Sequence, residues 1–168
     1  MIKKLMAFAR QLPPNEAPAN LNDVVNEGLY FFDARCAKAG ITLVRRLADD
    51  LPKIIIDAGQ MNQALVNLVV NAIQAMPEGG TLTVETQADQ EGVYLAVVDT
   101  GIGMSEEVRR QAFLPFFTTK DIDKGTGLGL AVVHGIITSH KGTIAIDTAE
   151  GKGTSFLIRL PLLEADPS

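Results

Sequence analysis

Residues 57–76 restrict the fold more than any other stretch. Met61, Leu65, Leu68, Val69, Ala72 and Met76 recur at helical spacing and predict one long helix with a single apolar face. Asp57 with Gln60 three residues on makes a capping-box start, and Pro77-Glu78-Gly79-Gly80 is a stop. A striped helix must bury its stripe against another layer. The chain offers that layer next. Residues 81–86 alternate, with Leu82 and Val84 inward, and residues 93–98 form an apolar run beyond a turn, so the two read as a hairpin. Residues 143–147 and 154–160, joined through Glu150-Gly151-Lys152-Gly153, read as a second hairpin.

The remaining segments complete a helix, strand pair, helix, hairpin, loop, helix, hairpin order. Residues 21–39 read as one helical segment, with Leu21, Val24, Val25, Leu29, Phe32 and Cys36 in its stripe and Gly40 at its end. Residues 41–47 and 53–56 read as two strands around the turn Asp49-Asp50-Leu51-Pro52. Residues 128–140 read as a helix, and residues 113–124 as a mobile loop without a clear period. Residues 1–10 look like a helix end, and 11–20, with three prolines, a linker or an extended wrap. Strands adjoining strands indicate an α+β sandwich, a mixed sheet with helices on one face.

Composition narrows the function. At 168 residues the chain is the size of one domain. Its net charge of −5 argues against a nucleic-acid binder, which needs a basic excess. Cys36 is the only cysteine, which excludes an internal disulfide. No apolar run is long enough to span a membrane.

Five constellations carry chemistry, and each has a plainer reading. Asn67 and Asn71 share one face of the long helix. They are either interhelix hydrogen-bonding residues or oxygen ligands for a hard cation such as Mg²⁺. Asp99 ends a strand and opens Gly101-Ile102-Gly103, either as an Asp-led turn or as an acceptor for an exocyclic amine lying over the glycine backbone. Phe113, Phe116 and Phe117 with Lys120 and Lys124 are either core plus solvated loop, or a hinged lid with a phosphate-reaching lysine. Gly125-Thr126-Gly127-Leu128-Gly129-Leu130 is a plain turn, or a flexible loop running into a helix N-terminus suited to phosphate. Gly151-Lys152-Gly153-Thr154 is a hairpin turn, or brings the Thr154 hydroxyl to a base pocket.

Together and in this order, these motifs resemble the Bergerat-type ATP-binding domain of the GHKL superfamily over residues 21–161. Asn67-Leu-Val-Val-Asn71-Ala-Ile-Gln-Ala-Met is similar to its N box, Asp99-Thr-Gly-Ile-Gly103 to a first glycine box, and Phe113-Leu-Pro-Phe-Phe-Thr-Thr-Lys120 to its F box. Gly125-Thr-Gly-Leu-Gly-Leu130 resembles a second glycine box and Gly151-Lys-Gly-Thr154 a third. The form of these boxes most resembles the catalytic domain of bacterial sensor histidine kinases of the nitrogen-regulatory type. The resemblance implies a two-layer sandwich with a mostly antiparallel sheet, three helices on one face, and a flexible ATP lid at 113–126. It implies ATP and Mg²⁺ as cofactors. Asn71 would ligate the metal, Asp99 would bind the adenine amino group, and Gly101, Gly103, Met104, Lys120, Gly125, Thr126, Gly127, Leu128, Gly129, Leu130 and Thr154 would line the nucleotide. Asn67 and Lys120 would serve the transfer. ATP-hydrolysing relatives place a general-base Glu at the Asn67 position, and an amide there favours phosphoryl transfer to a protein.

The implied partners are a dimerisation domain carrying the acceptor His, a response-regulator receiver domain, and a second copy of the parent protein; nucleic acid and membrane contact are not expected. His134 and His140 lie after the second glycine box, outside any acceptor context. The expected layout is a remnant of a dimerisation helix plus linker at 1–20, the catalytic domain at 21–163 and a frayed tail at 164–168, a truncated domain that binds Mg-ATP without phosphorylating itself. The expected location is cytoplasmic, with anchoring of the parent left open. Three other readings share the motifs: an ATP-gated switch or ATPase, a protein-serine kinase, and a regulatory module without transfer.

Overall fold

The computed structural model describes residues 15–114 and 129–162. Seven strands and five helices follow in this order: β1 (Ala17–Ala19), α1 (Leu21–Leu29), α2 (Phe32–Lys38), β2 (Ile41–Arg46), β3 (Ile54–Ile56), α3 (Ala58–Gln74), β4 (Gly80–Ala88), β5 (Gly92–Asp99), α4 (Glu106–Gln111), α5 (Gly129–Ser139), β6 (Thr143–Ala149) and β7 (Gly153–Pro161). Five strands form one sheet in the order β2-β4-β5-β7-β6. Only the β2–β4 pair is parallel; β4–β5, β5–β7 and β6–β7 are antiparallel. This is the mixed, mostly antiparallel α+β sandwich expected.

Alternation puts one row of each central strand inward. Leu82 and Val84 of β4, Val93, Leu95 and Val97 of β5, and Phe156, Ile158 and Leu160 of β7 are all buried. They meet the helical stripes. The α3 stripe read from the sequence is fully buried, Met61, Leu65, Leu68, Val69, Ala72 and Met76 alike. From α5, Val133, Ile136 and Ile137 join the same core. Asp57 caps α3 by accepting from the Gln60 N–H at 3.1 Å, which supplies one of the bonds the first turn lacks.

Two expectations need correction. The segment 21–39 is not one helix: it breaks at Tyr30–Phe31 into α1 and α2. The stripe was legible because Leu21, Val24, Val25, Leu29, Phe32 and Cys36 are all buried, but a turn re-aims its last two members toward β2. The rings of Tyr30 and Phe31 remain exposed and meet edge to face at 4.9 Å. The runs 41–47 and 53–56 are also not a pair. β2 joins β4 in parallel, while β3 pairs antiparallel with β1, inside the proline-bearing stretch. A buried polar tie holds the chain between them. The Ala48 N–H donates to Thr86 Oγ1 at 3.0 Å, and Thr86 donates to Asn22 Oδ1 at 2.7 Å.

The helix fragment expected at 1–10, most of the lid and the tail at 164–168 lie outside the described residues.

Candidate functional site

Asp99 is the last residue of β5 and its side chain points to the inner face, where it is 5% exposed. Its Oδ1 accepts two backbone bonds, from Gly101 N at 2.8 Å and Thr154 N at 3.2 Å. The first closes an Asx turn two residues ahead. The second crosses the sheet to β7, where Thr154 sits directly opposite Asp99. Burial pushes the Asp99 carboxyl above the usual range, and these two N–H groups pull it partly back. One oxygen is thus fixed, and Oδ2 takes no hydrogen bond from any described residue. Such a carboxyl is poised to accept from a donor brought by a ligand.

The loop after Asp99 is held from both sides. Ile102 N donates to the carbonyl of Ala75, at the C-terminal end of α3, at 3.0 Å. Ile102 O accepts from Gly151 N at 2.7 Å, and Met104 N donates to Thr148 Oγ1 at 2.9 Å. The glycines make this closeness possible. A Cβ on Gly101 would stand 2.3 Å from Ala75 O, and one on Gly103 would stand 2.0 Å from Ala149 O. Gly103 also has φ +70, a conformation costly for other residues. The absent side chains therefore face protein backbone, which supplies a packing reason for a glycine pair read from the sequence as room for a base.

Asp99, Gly101, Thr154 and, through Thr148, Met104 thus form one hydrogen-bonded cluster, with Gly103 packed on the Ala149 carbonyl beside it. Asn71 stands one turn of α3 before Ala75, with Asn67 a turn earlier, and both are half-buried. The cluster and the two asparagines share the C-terminal end of α3. Gly129 and Leu130 open α5, which packs along α3; the added Cβ at Gly129 would meet open space. Phe113 lies against the His134 ring of α5 at 5.2 Å, so the start of the expected lid is docked on the helix that follows it. Lys120, Gly125, Thr126, Gly127 and Leu128 lie outside the described residues.

His140 is buried and structural. Its Nδ1 donates to Ile136 O at 2.7 Å, and its Nε2 accepts from Asp57 N at 3.0 Å. Sequence reasoning missed Thr148. A lone threonine on an alternating strand carries no signal until the register sets it opposite Thr154 across the β6–β7 turn.

This arrangement has a family. Residues 56–164 match the histidine kinase-, DNA gyrase B- and HSP90-like ATPases, and the chain belongs to that family. It is an ATP-binding domain, and its relatives mark it as the catalytic domain of a sensor histidine kinase. The sensor kinase CckA of Brucella abortus is 39% identical over 97% of this chain, which spans 19% of that protein. Sporulation kinase E of Bacillus subtilis is 37% identical over 85% of the chain, again 19% of the relative. Among solved structures, the catalytic domain of histidine kinase ThkA superposes with a TM-score of 0.79 at 31% identity, covering 89% of this chain and 99% of that one. Full-length ShkA in complex with AMPPNP gives a TM-score of 0.85 at 27% identity over 98% of this chain and 35% of that one.

Proposed function

We propose that the domain binds Mg-ATP with its adenine amino group on Asp99, and passes the γ-phosphate to a histidine on a dimerisation domain. A response-regulator aspartate would then receive it. The observation that carries this reading is the buried Asp99 carboxyl, one oxygen pinned by Gly101 and Thr154 N–H groups and the other free of described partners. An amine donor satisfies that oxygen, and a 6-oxo group in its place sets acceptor against acceptor. The ShkA complex with AMPPNP, so similar in fold, supports a nucleotide in this class of site.

Asn71 fits a magnesium ion through its amide oxygen, a hard ligand, with Asn67 one turn nearer the phosphates. When bound, the ion would neutralise phosphate charge and orient the γ-phosphate. Among the described residues no group of three His, Cys, Asp or Glu side chains is placed to hold a metal, so the oxygen set is amide, water and phosphate. The domain's own part is to hold the base at Asp99, to position the phosphates against the α5 N-terminus, and to offer no carboxylate base at position 67. Transfer to a protein is then favoured over hydrolysis. Lys120 and the second glycine box complete the phosphate side in this reading.

The test combines binding and transfer. ATP with Mg²⁺ should raise the melting temperature of the wild-type chain and leave Asp99→Asn nearly unmoved. Labelled phosphate should appear on an added dimerisation domain as an acid-labile adduct, and none on the isolated chain. Equal shifts in both proteins, or stable label on the chain alone, would overturn the reading.

A further inference from the structure

Thr148 lies on β6, opposite Thr154, and no motif read from the sequence includes it. Its hydroxyl has three neighbours at 2.9 Å: Met104 N, Gly153 O and Thr154 Oγ1. A hydroxyl has one proton and two lone pairs. The Met104 N–H can only donate, so it takes one lone pair. The Gly153 carbonyl can only accept, so it takes the proton. One lone pair remains, and the Thr154 hydroxyl must fill it as donor. Its proton is therefore committed inward, toward Thr148.

Thr154 is 5% exposed and shares a strand face with Asp99, its cross-strand neighbour. With its proton committed, the Thr154 oxygen offers only lone pairs outward. The wall beside a bound base then presents acceptors at both Asp99 Oδ2 and Thr154 Oγ1. We propose that Thr148 is a positioning residue for base selectivity: it fixes the Thr154 hydroxyl as an acceptor and so tunes the pocket for a 6-amino purine against a 6-oxo purine. Thr148 does this without touching the base. Remove its hydroxyl, and the Thr154 proton is released to turn outward and donate to a 6-oxo group. The inference rests on the adenine reading of Asp99 and assigns a new residue to it.

The experiment compares ADP with inosine diphosphate, which differs in the 6-substituent and the protonation of N1. Calorimetric titration is run on wild type, Thr148→Val, Thr148→Ser and Asp99→Asn, with melting temperatures in parallel. Thr148→Val should lower the ADP-to-inosine-diphosphate affinity ratio about fivefold, the scale of one neutral hydrogen bond. Thr148→Ser should keep the wild-type ratio, because its hydroxyl restores the same bonds. An unchanged ratio in Thr148→Val, an equal loss for both nucleotides, or a Thr148→Ser as unselective as the valine variant would overturn the proposal. Wild type that binds no ADP, or Asp99→Asn that binds it as tightly as wild type, would instead sink the nucleotide reading on which it stands.

Discussion

In the proposed nucleotide site, Asp99 would set binding against stability at the scale of one residue. Burial raises its folded pKa, so the folded state holds the proton to higher pH than the unfolded chain does. The stability this contributes is present below the ordinary carboxyl pKa and is lost as pH rises through the folded pKa. Asp99→Asn keeps an Oδ1 for Gly101 N and Thr154 N and removes the ionisation. We expect it to melt higher than wild type at neutral pH, with the gap closing as pH falls toward the ordinary carboxyl range; differential scanning calorimetry across pH checks this. The same variant should lose at least about tenfold in ADP affinity, the scale of a hydrogen bond to a charged group. Glycines divide by surroundings in a similar way. Gly103 and Gly151 both have positive φ, at 70° and 76°, but a Cβ meets the Ala149 carbonyl at Gly103 and nothing at Gly151. Gly151→Ala should cost about 1 kcal/mol and Gly103→Ala more than about 2 kcal/mol in urea unfolding, conformation alone against conformation plus clash. The sequence showed Asp99 and Gly103 in one short motif and Gly151 in another. It hid Thr148, whose partners lie in the loop after β5 and across the β6–β7 turn.

Among the elements, α3 and α5 are locked at one end by a chain of hydrogen bonds. Asn15 N donates to Asp57 Oδ2, Asp57 Oδ1 caps α3, and Asp57 N donates to His140, whose other ring nitrogen donates to Ile136 O. The Asn15 bond, ahead of the capping bonds, holds the Asp57 carboxyl below its usual range. The sign is opposite to that of Asp99: this contribution is present above the ordinary carboxyl pKa and is lost as pH falls through the folded value. Asp57→Ala should cost about 1 kcal/mol, a typical cap, with the deficit shrinking in acid. His140→Leu strands the part-buried Asp57 N–H, while Ile136 O keeps its bonds from Ser139 Oγ and the residue-140 N–H, and should cost about 1 kcal/mol by denaturant titration. Element identity was readable wherever apolar spacing was regular, as in α3. The break at Tyr30–Phe31 was not readable, because neither residue is a helix breaker and the packing of α2 against β2 is a tertiary contact that no local pattern records.

On the scale of the whole molecule, the two hairpins were legible because each pairs neighbours through a short turn. The parallel β2–β4 pair and the β1–β3 pair were not, since they join segments separated by helices and loops, and no local pattern records a distant partner. The β1–β3 pair also bears on what the domain needs to fold. Removing residues 1–20 deletes β1 and the Asn20 side chain that caps α1 and donates to Leu51 O. We expect that truncation to melt well below the full chain, a loss of more than about 2 kcal/mol.

The bond from Thr154 N to Asp99 spans 55 residues and joins β5 to the last strand. Chains emerge from the ribosome N-terminus first. The α1–β5 portion can therefore gather its layers while Thr154, one of the two donors to Asp99, is still unsynthesised. If the proposed site holds, ligand capture would report that the final hairpin has docked, and bound ligand should slow amide exchange in β6 and β7 as strongly as in the strand that carries Asp99.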